Sequence, residues 1–266
     1  MSVNRAEGIN GLPKIVLSLR DGAHSAEVYL HGATITSYKH NHVEHIFVSD
    51  KAIFNGVKAI RGGVPLVFPQ FSQPLPEMPQ HGFLRTSSDW TYEEKRETSS
   101  FSTASKEEGD DEEVSVVLKL RDTEASRLLW PHAFEASLHI RLTTTQLIYQ
   151  LCITNPEANS PPFTCHTLMH TYLRIPSIHD IKVTGFEGVK YLDKVASSSS
   201  QDPILQEERE VVFTSEVDRI YLAENSETMP KLTISVAGEE LITTSKRAIK
   251  TKKDNTGNSS SSSSSF

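Results

Sequence analysis

Four short stretches of this chain gather the side chains that could do chemistry. The first runs from Arg61 through Gly62, Gly63, Val64 and Pro65 to Phe71, with Pro69 and Gln70 near its end. Paired glycines after an arginine let a backbone approach a ligand closely, and the flanking prolines fix the chain on either side. The second offers an amide, an imidazole and a guanidinium almost in succession, as Gln80, His81 and Arg85. A planar guanidinium can donate two parallel hydrogen bonds, which suits a phosphate. Two structural turns with surface arginines would read the same way.

The third stretch, residues 165–174, reads as a strand that puts His166, Leu168 and His170 on one face. Histidine is the side chain best placed to give or take a proton near neutral pH, although an imidazole simply hydrogen-bonded in a sheet has the same signature. The fourth is residues 215–221. Its Asp218 could accept hydrogen bonds from sugar hydroxyls, pair with Arg219, or cap a turn. His40, His42 and His45 also cluster, but no second group of ligands accompanies them, and a loop between strands accounts for the spacing. No phosphate-cradling GxxxxGK loop, GxSxG elbow or paired CxxC zinc motif is present.

The elements that must position these residues are strands. Phe134, Ala136, Leu138, Ile140 and Leu142 alternate with polar residues, the pattern of a strand with one buried and one wet face. Val114, Val116, Leu118 and Leu120 form a second such face opposite Ser115, Val117 and Lys119. Leu147, Tyr149, Leu151 and Ile153 form a third, and Leu232, Ile234 and Val236 a fourth. The best helical signal is residues 122–129, where Asp122 or Thr123 caps a short turn that Trp130 and Pro131 end. Many strands, few helices and frequent turns predict an all-β sandwich. Residues 93–113 and 195–210 read as polar loops. Residues 245–266, a basic patch and a serine run, read as a disordered tail.

At 266 residues the chain is long enough for one large β domain. A net charge of −7 argues against a nucleic-acid partner. Cys152 and Cys165 make no disulfide framework, the N-terminus lacks the apolar core of a signal peptide, and no apolar run is long enough to span a bilayer. The expectation is a soluble, cytoplasmic, monomeric protein with no membrane partner.

Taken together, the motifs HGATITSY, FNGVKAIRGGVPLVFPQF, PQHGFLR, HTYLRI followed by VTGFEGVKYLDK, and SEVDRIY resemble the hexose-6-phosphate mutarotase (glucose-6-phosphate 1-epimerase) family of the aldose 1-epimerase superfamily. The resemblance runs over residues 14–240 and implies a large β-sandwich, the galactose mutarotase-like supersandwich, with the sugar on a concave sheet face. It implies that His170 is the catalytic histidine, that Arg61 and Arg85 grip the substrate phosphate, that Gln80 and His81 line the pocket, and that Asp218 binds sugar hydroxyls. His166 does not match the catalytic position and reads as structural.

The implied reaction interconverts the α and β anomers of a hexose 6-phosphate by acid–base ring opening and needs neither a metal nor a cofactor. The resemblance also implies a partner base, a glutamate on a late strand beyond SEVDRIY. No glutamate follows Glu240, and Glu239 and Glu240 read as part of a hairpin turn. The expectation is therefore a β-sandwich domain over residues 1–244 that lacks the family's last strands. Alternative splicing, a retained intron or a shifted reading frame would give this break. An active mutarotase then stands against a catalytically impaired sugar-phosphate-binding protein or an inactive isoform.

Overall fold

A computed structural model describes residues 1–20, 22–95, 112–156, 161–195, 202–222, 233–236 and 239–243. The chain divides into two compact units, Met1–Arg174 and Ile175–Phe266.

The first unit opens with a five-stranded antiparallel meander, β1 (Ser2–Glu7), β2 (Pro13–Ser18), β3 (Ser25–Tyr29), β4 (Thr34–His40) and β5 (Val43–Glu44), in that spatial order. A short strand, β6 (Leu66–Val67), follows. A second antiparallel sheet then contains β7 (Thr91–Lys95), β8 (Glu113–Arg121), β9 (Glu135–Thr143) and β10 (Leu147–Thr154), in the order β10-β9-β8-β7. Helix α1 (Glu124–Leu129) links β8 to β9, and β11 (Leu168–Met169) pairs back with β6.

Alternation builds the core as the sequence predicts. Register pairs Val116 with Ile140, Leu118 with Leu138 and Leu120 with Ala136, so cross-strand apolar pairs fill one face. These residues form one buried cluster with Ile15, Leu17, Val28 and Ile35 of the meander. Phe68 anchors the cluster between Trp130 and Phe134, with ring centroids 5.2 and 5.1 Å away. Two details differ from expectation. Val117 lies on the face predicted to be wet yet is only 3% exposed, so that face of β8 is covered at its centre. Leu147, Tyr149, Leu151 and Ile153 pack on the core but stay half-buried, because β10 is an edge strand of its sheet.

Thr123 caps α1. Its hydroxyl accepts from the Ser126 amide, and Ser126 returns the bond to the Thr123 amide, a reciprocal box at the helix start. His40 ends β4, His42 sits in the following turn at φ +66, and His45 follows β5. Among the described residues no group of three or more His, Cys, Asp or Glu is arranged to hold a metal ion, and no helix is long and apolar enough to cross a membrane.

The second unit contains β12 (Ile181–Thr184), β13 (Lys190–Asp193), β14 (Ile204–Leu205), β15 (Glu210–Val212), β16 (Arg219–Leu222), β17 (Thr233–Val236) and β18 (Glu239–Thr243). They form two antiparallel sheets, β15-β12-β17-β18 and β14-β13-β16. Strand β14 interrupts the predicted loop 195–210. Glu239 and Glu240 stand at the start of β18, where Glu239 pairs with Val236 of β17, so both belong to the hairpin's strand and not to its turn. Leu232, Gly238, most of the predicted loop 93–113, the serine run near residue 198 and the predicted tail 245–266 lie outside the described residues.

Candidate active site

The segment carrying His170 is stitched on two sides. Beside the β6–β11 ladder, the His170 amide donates to Pro65 O over 3.1 Å, the Tyr172 amide to Gly63 O over 2.9 Å and the His166 amide to Pro69 O over 2.8 Å. On the other side the Phe47 amide donates to Tyr172 O and the Arg174 amide to His45 O, each over 2.9 Å. Cys165 and Met169 pack on the core, so strand alternation turns His166 and His170 to the opposite face.

The glycines after Arg61 serve this stitching. They were expected to admit a ligand, but they admit the chain's own backbone. A Cβ on Gly62 would lie 2.6 Å from Phe47 O, and one on Gly63 would lie 2.3 Å from Ile35 O. Arg61 itself is exposed, and its carbonyl accepts from the Ser49 amide.

The second motif reaches the same place through a loop organised by Gln70. This side chain is 2% exposed, donates through Nε2 to the carbonyls of Leu75, Met78 and Pro79, and accepts at Oε1 from the Leu75 amide. The loop returns at His81, whose ring meets His170 edge-on with centroids 5.1 Å apart. Phe71 packs beside both, 5.3 Å from His81 and 6.3 Å from His170. Arg85 lies on a single 3-10 turn, Leu84–Thr86, and donates from Nη2 to Gln80 O over 2.6 Å. Its Nε–H is buried without a hydrogen-bond partner among the described residues.

Electrostatics ties these groups together. Burial lowers the pKa of His170, and the Arg85 cation lowers it further. Burial, Arg85 and His170 lower that of His81 in the same way. Burial also weakens the proton affinity of Arg85, and the nearby Tyr172 phenol opposes that effect. Both imidazoles therefore favour their neutral form below the pH at which a free histidine would. The site thus offers two neutral imidazoles, each able to exchange a proton, beside a cation with a spare donor.

The structure brings His81, Arg85 and His170 together, with the Gln80 carbonyl held against Arg85. It does not place Arg61 in contact with them. Asp218 stands exposed in the second unit just before β16, with its carbonyl accepting from the Lys194 amide. Arg219 donates to Gln206 Oε1 over 3.1 Å and lies over the Tyr191 ring instead of pairing with Asp218. Sequence reasoning passed over Phe71, Tyr172 and Gln70. All three lie inside quoted motifs, Phe71 and Gln70 beside prolines and Tyr172 in HTYLRI, but none of them carries a chemical signature of its own there.

The family model for aldose 1-epimerase matches residues 16–259. The chain belongs to the aldose 1-epimerase family. Within the aldose 1-epimerase family, it is similar to a protein from Cenchrus ciliaris named "Putative glucose-6-phosphate 1-epimerase", with 35% identity over 218 residues, which are 80% of this chain and 62% of that protein. A protein of the same name from Escherichia coli (strain K12) is 28% identical over 199 residues, 74% of this chain and 60% of the relative. The chain therefore spans about 60% of the length of these curated relatives.

Among solved structures, the chain resembles a protein titled "putative mutarotase (YeaD)" from Salmonella typhimurium. The TM-score is 0.69 at 24% identity, covering 88% of this chain and 70% of that one. Galactose 1-epimerase from Lactobacillus acidophilus NCFM gives a TM-score of 0.57 at 14% identity, with coverages of 88% and 76%. The fold is thus the all-β, galactose mutarotase-like sandwich that the motifs implied.

Proposed function

We propose that this aldose 1-epimerase family member binds a hexose 6-phosphate, with glucose 6-phosphate the natural candidate, and interconverts its α and β anomers. The observation that carries the reading is the contact of His81 and His170 beside Arg85, whose buried Nε–H has no partner among the described residues. A buried cation with an unused donor is stabilised by an anion, and a phosphate oxygen fits a guanidinium.

In the proposed reaction the C1 hydroxyl loses its proton to solvent water while protonated His170 donates a proton to the ring oxygen. The C1–ring oxygen bond breaks and leaves an aldehyde, C1 rotates to present its other face, and the reverse transfers close the ring with His170 accepting its proton back. Gln80 and His81 line the sugar site, and Arg61 joins Arg85 at the phosphate. The names of the relatives from Cenchrus ciliaris and Escherichia coli support the substrate class.

Magnetisation exchange between the two anomers of glucose 6-phosphate tests this. The chain should accelerate exchange, and His170→Ala should remove on the order of 10²–10⁴-fold of the acceleration, the usual share of one acid–base group. A folded chain that neither binds glucose 6-phosphate nor accelerates exchange sinks the reading. Arg61→Ala should weaken glucose 6-phosphate far more than glucose, and equal losses would take the phosphate away from Arg61.

A further inference from the structure

At residues 71 and 72 two consecutive backbone amides are each captured by an imidazole instead of a carbonyl. The Phe71 N–H donates to Nδ1 of His166 over 3.3 Å, and the Ser72 N–H donates to Nδ1 of His81 over 3.1 Å. A ring nitrogen that accepts carries its lone pair there, so each neutral ring holds its proton on Nε2. His166 grips the same stretch twice, since its own amide also donates to Pro69 O over 2.8 Å.

Further bonds fix the other end. The His81 amide donates to Ser72 O over 2.8 Å and the Phe68 amide to His81 O over 3.4 Å. His81 is held at φ +65, a left-handed backbone that a residue with a Cβ adopts only where its surroundings impose it. The Phe71 ring, set by this bracket, packs against both His81 and His170. An imidazole hydrogen-bonded through one nitrogen and packed by an aromatic ring keeps one rotamer, whereas an unheld one samples several.

We propose that His166 and Phe71 are positioning residues, in which the His166 imidazole holds the Phe71 amide and the Phe71 ring holds His81 and His170 at a fixed mutual angle, with the His81 Nε2–H presented as a donor. The charged and titratable groups facing the pair are Arg85 and, through Arg85, Tyr172. The consequence for catalysis rests on the proposed role of His170. The tautomers and the ring geometry do not.

Long-range proton–nitrogen NMR of the ring nitrogens tests the arrangement without any substrate. The unmodified chain should show His81 and His166, in their neutral forms, as a single Nε2–H tautomer, and a cross-relaxation contact between the His81 and His170 rings. Phe71→Ala and His166→Leu should lose that contact and move the His81 and His170 midpoints upward as water reaches the rings. His166→Asn, whose Oδ1 keeps an acceptor near the place of Nδ1, should preserve both. An Nδ1–H tautomer for His81 or His166 in the unmodified chain overturns the proposal, as does a folded Phe71→Ala chain with contact and midpoints unchanged. In anomer exchange at saturating glucose 6-phosphate, the Leu and Ala variants should be slower and the Asn variant unaffected. If the NMR results hold in a chain that binds no sugar phosphate, the positioning stands and only the substrate reading falls.

Discussion

Gly82 should tolerate no side chain, and the structure supplies a matched control. Its backbone sits at φ +72, and a Cβ there would lie 1.9 Å from Phe68 O, a backbone atom. Gly11 has nearly the same φ, +74, but nothing lies within 4 Å of its virtual Cβ. An L residue in left-handed backbone costs about 1–2 kcal/mol. Reduced freedom of the unfolded chain returns about 0.4–1 kcal/mol. Gly11→Ala should therefore cost roughly 1 kcal/mol or less. Gly82→Ala carries the same balance plus a collision that only backbone movement relieves. Phe68 is fully buried between Trp130, Phe83 and Phe134, so that movement disturbs a packed cluster and adds about 1–3 kcal/mol. Both tryptophans, Trp90 at 2% and Trp130 at 7% exposure, are buried in the first unit, so their fluorescence in urea reports on this unit. With a urea dependence of about 1–3 kcal/mol per molar, the midpoint of Gly82→Ala should fall below that of Gly11→Ala by on the order of 1 M. Equal midpoints would refute the claim that close backbone approach is what the glycine permits.

Three further outcomes follow from particular contacts. Burial lowers the pKa values of His40, His45, His81 and His170, so the unfolded chain binds protons that the folded chain refuses. Stability should be full above the ordinary histidine value of about 6.5 and fall as pH drops through the lower folded values; a melting temperature unchanged between about pH 7.5 and about pH 5.5 contradicts this. Thr123→Ala removes the acceptor of the 3.1 Å bond from the Ser126 amide and should cost about 1 kcal/mol, read from the urea midpoint of the adjacent Trp130, with no change refuting the cap. Sulfate should raise the titration midpoints of His170 and His81 by offsetting the Arg85 cation, and should lose that effect in Arg85→Gln; midpoints indifferent to sulfate in the unmodified chain would mean that no anion reaches Arg85.

The sandwich was legible because alternation is a direct imprint of a sheet with one wet face. Ala136, Leu138, Ile140 and Leu142 could be assigned to the core before any coordinates, and each is buried. Thr123 was one of two predicted caps because short side-chain acceptors announce helix starts. The chemistry of His81, Arg85 and His170 was legible by residue type, but their adjacency depends on Leu66 and Val67 pairing with Met169 and Leu168, a long-range register that no local pattern specifies. Gly62 and Gly63 were misread for a related reason. A glycine that admits a ligand and one that admits a neighbouring strand are identical in sequence, and only the positions of Phe47 and Ile35 decide between them. Phe71 was named in its motif but given no role, because an aromatic between prolines has no chemistry of its own.

Arg85 connects affinity to proton transfer in the proposed reaction. A half-buried guanidinium with one donor spent on Gln80 O and a buried Nε–H unspent is electrostatically incomplete. That cation favours the neutral forms of His81 and His170, beyond what burial alone does. A phosphate at Arg85 cancels part of the cation's field, and the proton affinity of His170 then rises in the direction that donation to a ring oxygen requires. A neutral sugar in the same place would leave the Arg85 field intact and His170 short of its proton. On this argument the phosphate does more than hold the substrate, because its charge prepares the acid. Discrimination against unphosphorylated sugars should then appear in the rate of ring opening as well as in binding.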